Sequence, residues 1–491
     1  MSLYIIYIAF VVVEMHKIYN FNRDSFKENF MSEVKTNIIN PKDSPNTPLY
    51  IQLYNHYKNL ISSGTLKAES KLPSIRRCAK ERMISRTTVE AAYLQLVAEG
   101  YVTSRPGSGF YVSELNYKDI QKVETLHNNK SIVQKKPLYD FATYAVDYKS
   151  FDFDLWSRYI KSALRNEERL LSYGDPQGEY DLRVSLSKYV AERRGVICTP
   201  EQIVVGAGVQ SLLQILCSLT GLRSPVSFTG ASFEQGKAVF EDRGFKTLTY
   251  KNINRDLSKF KKDKIKMIYT SPSHITPWGD VMPIQTRLAL LAFAQSEDCL
   301  IIEDDYDSEF RYYTRPVPSL QGLDGGDKVV YMGTFSRLLM PSLRISFMVL
   351  SKELTEAYER RGRVYNQTAS KTEQIALGKF ISDGHLYRQI RKARKLYMAK
   401  SQQLCIAINN VFEEKATAIP GSGGVLLQLE VKSGLSSEEL AKRGVEVGVL
   451  LRTFETEEEN YPRLLLSCSG VAEENFEGAL SLLKKEFFKD K

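Results

Sequence analysis

Gly333-Thr-Phe-Ser-Arg337 follows the apolar run Val329 to Met332 and leads through Arg344 into a second run, Ile345 to Leu350. Two short runs buried on both faces, with a polar segment between them, read as strands flanking a loop at the edge of a sheet. The same pattern extends upstream through Ile203 to Val205, Val226 to Phe228, Met267 to Thr270 and Leu300 to Ile302, with longer helical patterns between. That alternation predicts a mostly parallel α/β sheet over the region from 138 onward.

Two segments could place chemistry at the edge of that sheet. Gly206-Ala-Gly-Val-Gln210 follows a strand and opens an apolar helix through Leu212, Leu213, Ile215 and Leu216, so backbone N–H groups at the helix start can cradle a phosphate. A plain strand–helix turn is the other reading of that glycine pair. Asp304 lies just past the strand Leu300 to Ile302, inside Glu303-Asp-Asp-Tyr-Asp-Ser-Glu-Phe-Arg311. A carboxylate there can face a ligand at the carboxyl edge of the sheet. The alternatives for so acidic a loop are a solvated turn or a metal site, and with five histidines in the chain and none clustered, no metal is expected.

Taken in order, Tyr173-Gly-Asp-Pro-Gln-Gly178 with Leu182-Arg183, Gly206 to Gln210, Ser271-Pro-Ser-His274, Glu303 to Arg311 and Gly333 to Arg344 resemble the fold-type I aminotransferase domain of MocR/GabR-type regulators, from Leu138 to the end. The resemblance implies an α/β body of large and small aminotransferase-like domains and a pyridoxal 5'-phosphate pocket. Asp304 would pair with the pyridinium nitrogen, Tyr306 would donate to the ring's phenolic oxygen, and Phe233 would stack on the ring. Gly208, Val209, Gln210, Thr334, Ser336 and Arg344 would form the phosphate cup, and Tyr173 would reach that phosphate from a partner subunit, which implies a homodimer. Arg463, near the strand Leu464 to Leu466, stands where a guanidinium would grip a substrate or effector carboxylate, with Arg452 as its competitor.

By the same resemblance Arg337 occupies the position of the cofactor lysine. That lysine must lose a proton, attack the aldehyde and later shuttle a proton, none of which a permanently charged guanidinium can do. The expectation is no catalytic residue and no transamination. Lys328, at the start of the same strand, reads as a surface residue rather than a substitute. Val209 lacks a hydroxyl that the family often supplies, Thr276 stands where catalytic relatives carry asparagine, and Trp278 fills a usually small position. Asp304, Tyr306 and Arg344 remain, so a noncovalent cofactor, another small anion, or no ligand stay open.

Residues 47–114 form a separate unit. Ile51, Tyr54, Tyr57 and Ile61 recur at helical spacing, Pro73-Ser74 open a second helix with Ile75, Cys78 and Ala79 on one side, and Ser85 caps a third with Val89, Tyr93, Leu96 and Val97 inward. Two short strands, Tyr101 to Ser104 and Phe110 to Ser113, enclose the basic tip Arg105-Pro-Gly-Ser-Gly109. Nine Lys or Arg against five Asp or Glu give this unit a net charge of +4, which favours a polyphosphate backbone. The strings Lys71-Leu-Pro-Ser-Ile-Arg76, Ser85-Arg-Thr-Thr-Val89, Glu99-Gly-Tyr101 and Gly107-Ser-Gly-Phe110 resemble the winged helix-turn-helix of GntR-family repressors. The candidate contacts to a double-stranded DNA operator are Arg76, Ser85, Arg86, Thr87, Thr88, Arg105 and Gly109.

Residues 115–137 read as a polar linker and 1–46 as an amino-terminal extension, disordered or arising from a start assigned too early. The apolar run Leu3 to Val13 is too short to span a bilayer, so no membrane partner is expected. Six scattered cysteines suit free thiols in a reducing cytoplasm. The whole reads as a cytoplasmic, dimeric DNA-binding regulator whose aminotransferase-like domain binds pyridoxal phosphate noncovalently, or another small anionic effector such as an amino acid. The alternatives are an active aminotransferase and a ligand-free dimeric repressor.

Overall fold

The computed structural model describes residues 47–114, 137–221, 224–229, 233–250, 253–312, 317–361, 364–454 and 460–489. The extension 1–46 and all but the last residue of the 115–137 linker lie outside them. The chain divides into two compact units, before and after residue 132.

In the first unit, α1 (Leu49–Ser62), α2 (Ile75–Arg82) and α3 (Arg86–Ala98) precede the hairpin β1 (Val102–Arg105) and β2 (Gly109–Val112). The inward stripe of α1 is Leu53, Tyr57 and Ile61, while Ile51 and Tyr54 are only half-buried. Spacing alone allows either stripe; packing against Tyr93 and Leu96 of α3 selects the one centred on Leu53. Met83, at φ 52°, turns the chain between α2 and α3. Ser74 and Ser85 cap the two helices, each hydroxyl accepting from the backbone N–H three residues on.

In the second unit, β3 (Tyr139–Asp140) precedes a seven-stranded sheet of β4 (Ile203–Gly206), β5 (Val226–Thr229), β6 (Thr247–Tyr250), β7 (Met267–Thr270), β8 (Leu300–Asp305), β9 (Val329–Thr334) and β10 (Ser346–Val349). The order is β4-β10-β9-β8-β7-β5-β6. Pairs from β9 through β6 are parallel, and β10 runs antiparallel to both β9 and β4. Every expected strand of this sheet is present. The sequence reading missed β6, whose exposed, polar face gives it no continuous apolar run. A second sheet, in the order β11 (Ala416–Ile419), β12 (Leu426–Val431), β15 (Arg463–Ser467), β14 (Arg452–Thr453), packs with the long helix His385–Phe412 and the last helix, Phe476–Phe487. The two-residue strand β13 (Val449–Leu450) pairs in parallel with β3.

Register decides what shares the carboxyl edge. Asp304 and Asp305 stand opposite Met332 and Gly333, so β8 and the loop after β9 end side by side. Gly206 and Thr334 both pair with Ser346, which brings the loop after β4 to the same edge.

Candidate functional site

Alternation along β8 divides its acidic end between two tasks. Asp305 points to one face, where Arg194 grips it at 2.6 and 3.0 Å and the Tyr331 hydroxyl donates to it at 2.5 Å. Glu303 accepts from the backbone N–H groups of Leu320 and Gln321, and burial lifts its pKa to about 7. Asp304 turns the other way. The Tyr269 hydroxyl donates to it at 2.5 Å, and burial, only partly offset by that bond, lifts its pKa to about 6. Glu303, Asp304, Asp305 and Asp307 are all buried, so this segment is not a solvated turn. Among the described residues no group of three or more His, Cys, Asp or Glu could hold a metal ion.

Phe233 lies 6.0 Å from Tyr269 in a stacked geometry, which joins it to the Asp304 side of the site. On the other side, Gly208 adopts φ 107° at the start of the helix Val209–Thr220. The Arg344 guanidinium lies across Gly208: a Cβ there would stand 2.5 Å from Nη2 and push the guanidinium aside, and the positive φ would strain any other residue. Arg344 also donates to the Ala207 carbonyl at 3.1 Å, and Ser346, Thr334 and Ser336 form a hydroxyl chain with steps of 2.9 and 3.2 Å. This cluster of a helix start, hydroxyls and an exposed guanidinium can bind an anion. Val209 sits within the cup without a polar group, and the Gln210 amide instead donates to the Gln235 carbonyl.

Arg337 follows the hydroxyl chain. Its guanidinium pairs with Asp307 and lies over the rings of Tyr144, at 3.9 Å, and Tyr306, at 5.3 Å. Burial opposes its charge, but Asp307 and the two phenols outweigh burial and hold the proton more firmly than usual. Lys328 is paired with Asp298 at 2.7 Å, at the far end of β9.

The structure thus brings together Gly208, Phe233, Asp304, Tyr306, Thr334, Ser336, Arg337 and Arg344. Tyr173 is fully exposed and reaches none of them within its own chain. Arg463 pairs with Glu430 at 2.8 Å and faces Gln428, its neighbours across the β12–β15 ladder. Its competitor Arg452 instead lies over Tyr144 at 3.9 Å. Tyr144 and Tyr269 went unrecognised in the sequence. Tyr269 reads there as one more residue of a buried strand, and Tyr144 lies in an irregular segment with no periodic signal.

In the first unit, Arg76, Ser85, Arg86 and Thr87 are exposed and Thr88 is half-buried, with the hydroxyls of Thr87 and Thr88 bound to Ser85. On the wing, Arg105 pairs with Glu69 and lies over Tyr111 at 4.4 Å, while Gly109 takes φ 113° against Lys71.

The aminotransferase class I and II family matches residues 138–482, and the gntR family of bacterial regulatory proteins matches residues 49–112. The chain belongs to the MocR-type regulators, which join these two units. It is 35% identical over 450 residues to the uncharacterized HTH-type transcriptional regulator YhdI of Bacillus subtilis, covering 89% of this chain and 95% of that one. It is 31% identical to the probable rhizopine catabolism regulatory protein MocR of Rhizobium meliloti, covering 83% and 87%. Among solved structures, the α-aminoadipate aminotransferase LysN of Thermus thermophilus, complexed with N-(5'-phosphopyridoxyl)-L-leucine, aligns with a TM-score of 0.61 at 21% identity. That alignment covers 71% of this chain and 92% of LysN, and it shows a shared fold.

Proposed function

We propose that this MocR-type protein is a dimeric, operator-binding transcription regulator whose aminotransferase-like body binds pyridoxal phosphate noncovalently, or another small anionic metabolite, as its effector. The observation that carries this reading is Arg337. A guanidinium held by Asp307 stands where covalent attachment needs a lysine, beside a cup that retains its anion-binding groups. The residues fit the group in its phosphate and ring parts. Gly208, Ser336 and Arg344 would take the phosphate, Phe233 the ring face and Asp304 the ring nitrogen. When bound, the cofactor supplies an electron-withdrawing pyridinium. Asp304 would hold a proton on the ring nitrogen, and Tyr269 would fix the carboxylate in place. No residue of the described site is placed to move a proton as the lysine of an aminotransferase does, so turnover is not expected.

At the other end of the chain, exposed Arg86 and Thr87 at the first turn of α3 would read base edges, with Arg76 and the Arg105 wing on the backbone. The complete exposure of Tyr173 supports a partner-subunit role. The test is calorimetric titration of the full chain with pyridoxal phosphate, with visible absorbance read on the same sample. Saturable heat without a Schiff-base band is expected, together with a change in operator affinity. A Schiff-base band would overturn the noncovalent reading, and a ligand that binds without altering DNA affinity would remove its effector role.

A further inference from the structure

Tyr173 stands on a stem that a distant segment holds at both ends. Tyr173 is fully exposed and Leu171 is 91% exposed, yet the backbone around them is fixed. The Lys371 ammonium donates to the Arg169 carbonyl, to the Ser172 carbonyl at 3.0 Å and to the Ser172 hydroxyl at 3.1 Å. Those three acceptors use all three N–H groups of the lysine. Four residues earlier, the Gln367 amide donates to the carbonyls of Pro176 and Val205 at 3.1 and 3.2 Å, and the Thr368 hydroxyl accepts from the Ala207 N–H at 2.9 Å. Residues 367–371 therefore grip the stem 169–176 and the loop that opens the phosphate cup. Charges brace the stem further. Arg169 donates to Glu179 and to Asp181, each at 2.8 Å, and Arg183, itself buried, holds Asp175 at 2.8 Å. A Cβ at Gly174 would stand 2.9 Å from Glu179 Oε1, so the chain passes close over this cluster directly after Tyr173. Lys371 is the first residue of the helix Lys371–Ser382, where a cation opposes the helix dipole. Helix stability does not account for it; the stem carbonyls do.

We propose that Lys371 is a positioning residue for the effector site of a second copy of this chain: by gathering the carbonyls of Arg169 and Ser172 it sets the stem from which Tyr173 reaches a phosphate in the partner's cup. This rests on the reading of Tyr173 above and adds the residue that fixes its reach. A hydroxyl held in place before the ligand arrives loses little freedom on binding, so its hydrogen bond counts almost in full. A leucine and a tyrosine projected from a braced stem also suit an apolar partner surface better than water.

The test uses the full-length protein and calorimetry with pyridoxamine 5'-phosphate and pyridoxamine, which differ only in the phosphate and form no imine with a lysine. Tyr173→Phe is expected to weaken pyridoxamine 5'-phosphate about tenfold, the scale of a hydrogen bond to a charged group. Lys371→Met should weaken it by a comparable factor, leave pyridoxamine binding unchanged and add little to Tyr173→Phe in the double variant, since both act through one hydroxyl. Mixed dimers then locate the effect. With Lys371→Met in one subunit and Arg344→Ala in the other, the intact cup meets an intact stem and should bind as in the wild type. With both changes in one subunit, the intact cup meets the altered stem and should bind weakly. Lys371→Gln, which keeps an amide donor, repeats both comparisons if the methionine variant does not dimerise. Equal affinity in the two mixed dimers, or wild-type affinity in Lys371→Met where Tyr173→Phe has lost it, would overturn the role of Lys371 and leave the cup standing. If Tyr173→Phe keeps full affinity, the partner-subunit reading of Tyr173 falls and Lys371 with it; if pyridoxamine 5'-phosphate gives no heat, the reading of the pocket itself falls.

Discussion

Replacing Arg337 with methionine removes the guanidinium and leaves the Asp307 carboxylate, whose side chain is 3% exposed, without its cation. Breaking a buried ion pair from one side costs about 3–5 kcal/mol, because the surviving charge stays desolvated. Arg337 is itself 25% exposed, which moves the expectation to the lower end, while loss of its contact with Tyr144 adds about 0.5–1 kcal/mol. A loss of about 3.5–4 kcal/mol is therefore expected, against a total stability on the order of 5–15 kcal/mol for a domain. Asp307→Asn leaves a guanidinium that water can reach and should cost about half as much. The double variant, with no unpaired charge, should be more stable than the sum of the single losses predicts, with a coupling of at least ~1.5 kcal/mol. Urea denaturation followed by tryptophan fluorescence measures this cleanly, since the chain's two tryptophans, Trp156 and Trp278, both lie in the second unit. If Arg337→Met costs less than about 1 kcal/mol and the two substitutions add without coupling, Arg337 is not a structural charge held by Asp307, and the argument that it has exchanged a chemical role for an electrostatic one fails.

His274 is buried with neither ring nitrogen hydrogen-bonded among the described residues, and burial lowers its pKa to about 4. The folded state then binds fewer protons than the unfolded chain between pH ~6.5 and ~4, so stability is full above that window and is lost as pH falls through it, by about 2 kcal/mol near pH 5. In His274→Phe that part of the acid sensitivity should vanish, as seen by comparing urea midpoints at the two ends of the window; an unchanged pH profile would count against the assignment. Gly208→Ala should lower the affinity for phosphate-bearing ligands by displacing Arg344, while Arg344 itself remains; undiminished calorimetric binding would show that the cup lies elsewhere. Arg86→Ala should cost about 1–3 kcal/mol of operator affinity and relax discrimination at one base position, whereas Arg76→Ala should weaken all sequences alike and flatten the salt dependence. Electrophoretic mobility shifts on operator and scrambled duplexes separate the two outcomes.

The carboxyl-edge loops were legible in the sequence because each follows a short apolar strand, and strand ends in such a sheet are where register places ligand groups. Asp304 could be named as a candidate from its place after a strand, and Thr334, Ser336 and Arg344 from the family resemblance. Around Arg463 the sequence shows a strand but not its neighbour. Which way an arginine on a strand is committed depends on the residue across the ladder, and the pairing of Arg463 with Glu430 is fixed by antiparallel register between β12 and β15. Arg452 sits across the next ladder, opposite Leu465. Nothing local in the sequence distinguishes the two arginines.

Tyr144 shows the same limit from the other direction. It has no motif and no periodicity, and it belongs to the segment that follows β3, whose partner β13 lies some three hundred residues further along the chain. Yet Tyr144 is where the loop carrying Arg337 and the strand carrying Arg452 meet, so the charge at position 337 is felt beyond its own loop. A lysine bound to a cofactor would be neutral or singly charged according to its chemistry; an arginine is charged always, and it must be balanced in the free protein as well as in the bound one. Asp307 supplies that balance for Arg337, while Arg452 shares the same phenol and donates to the Ala142 carbonyl. On the function proposed above, Arg337 is a fixed element of the pocket's charge pattern, suited to holding an anion rather than transforming one.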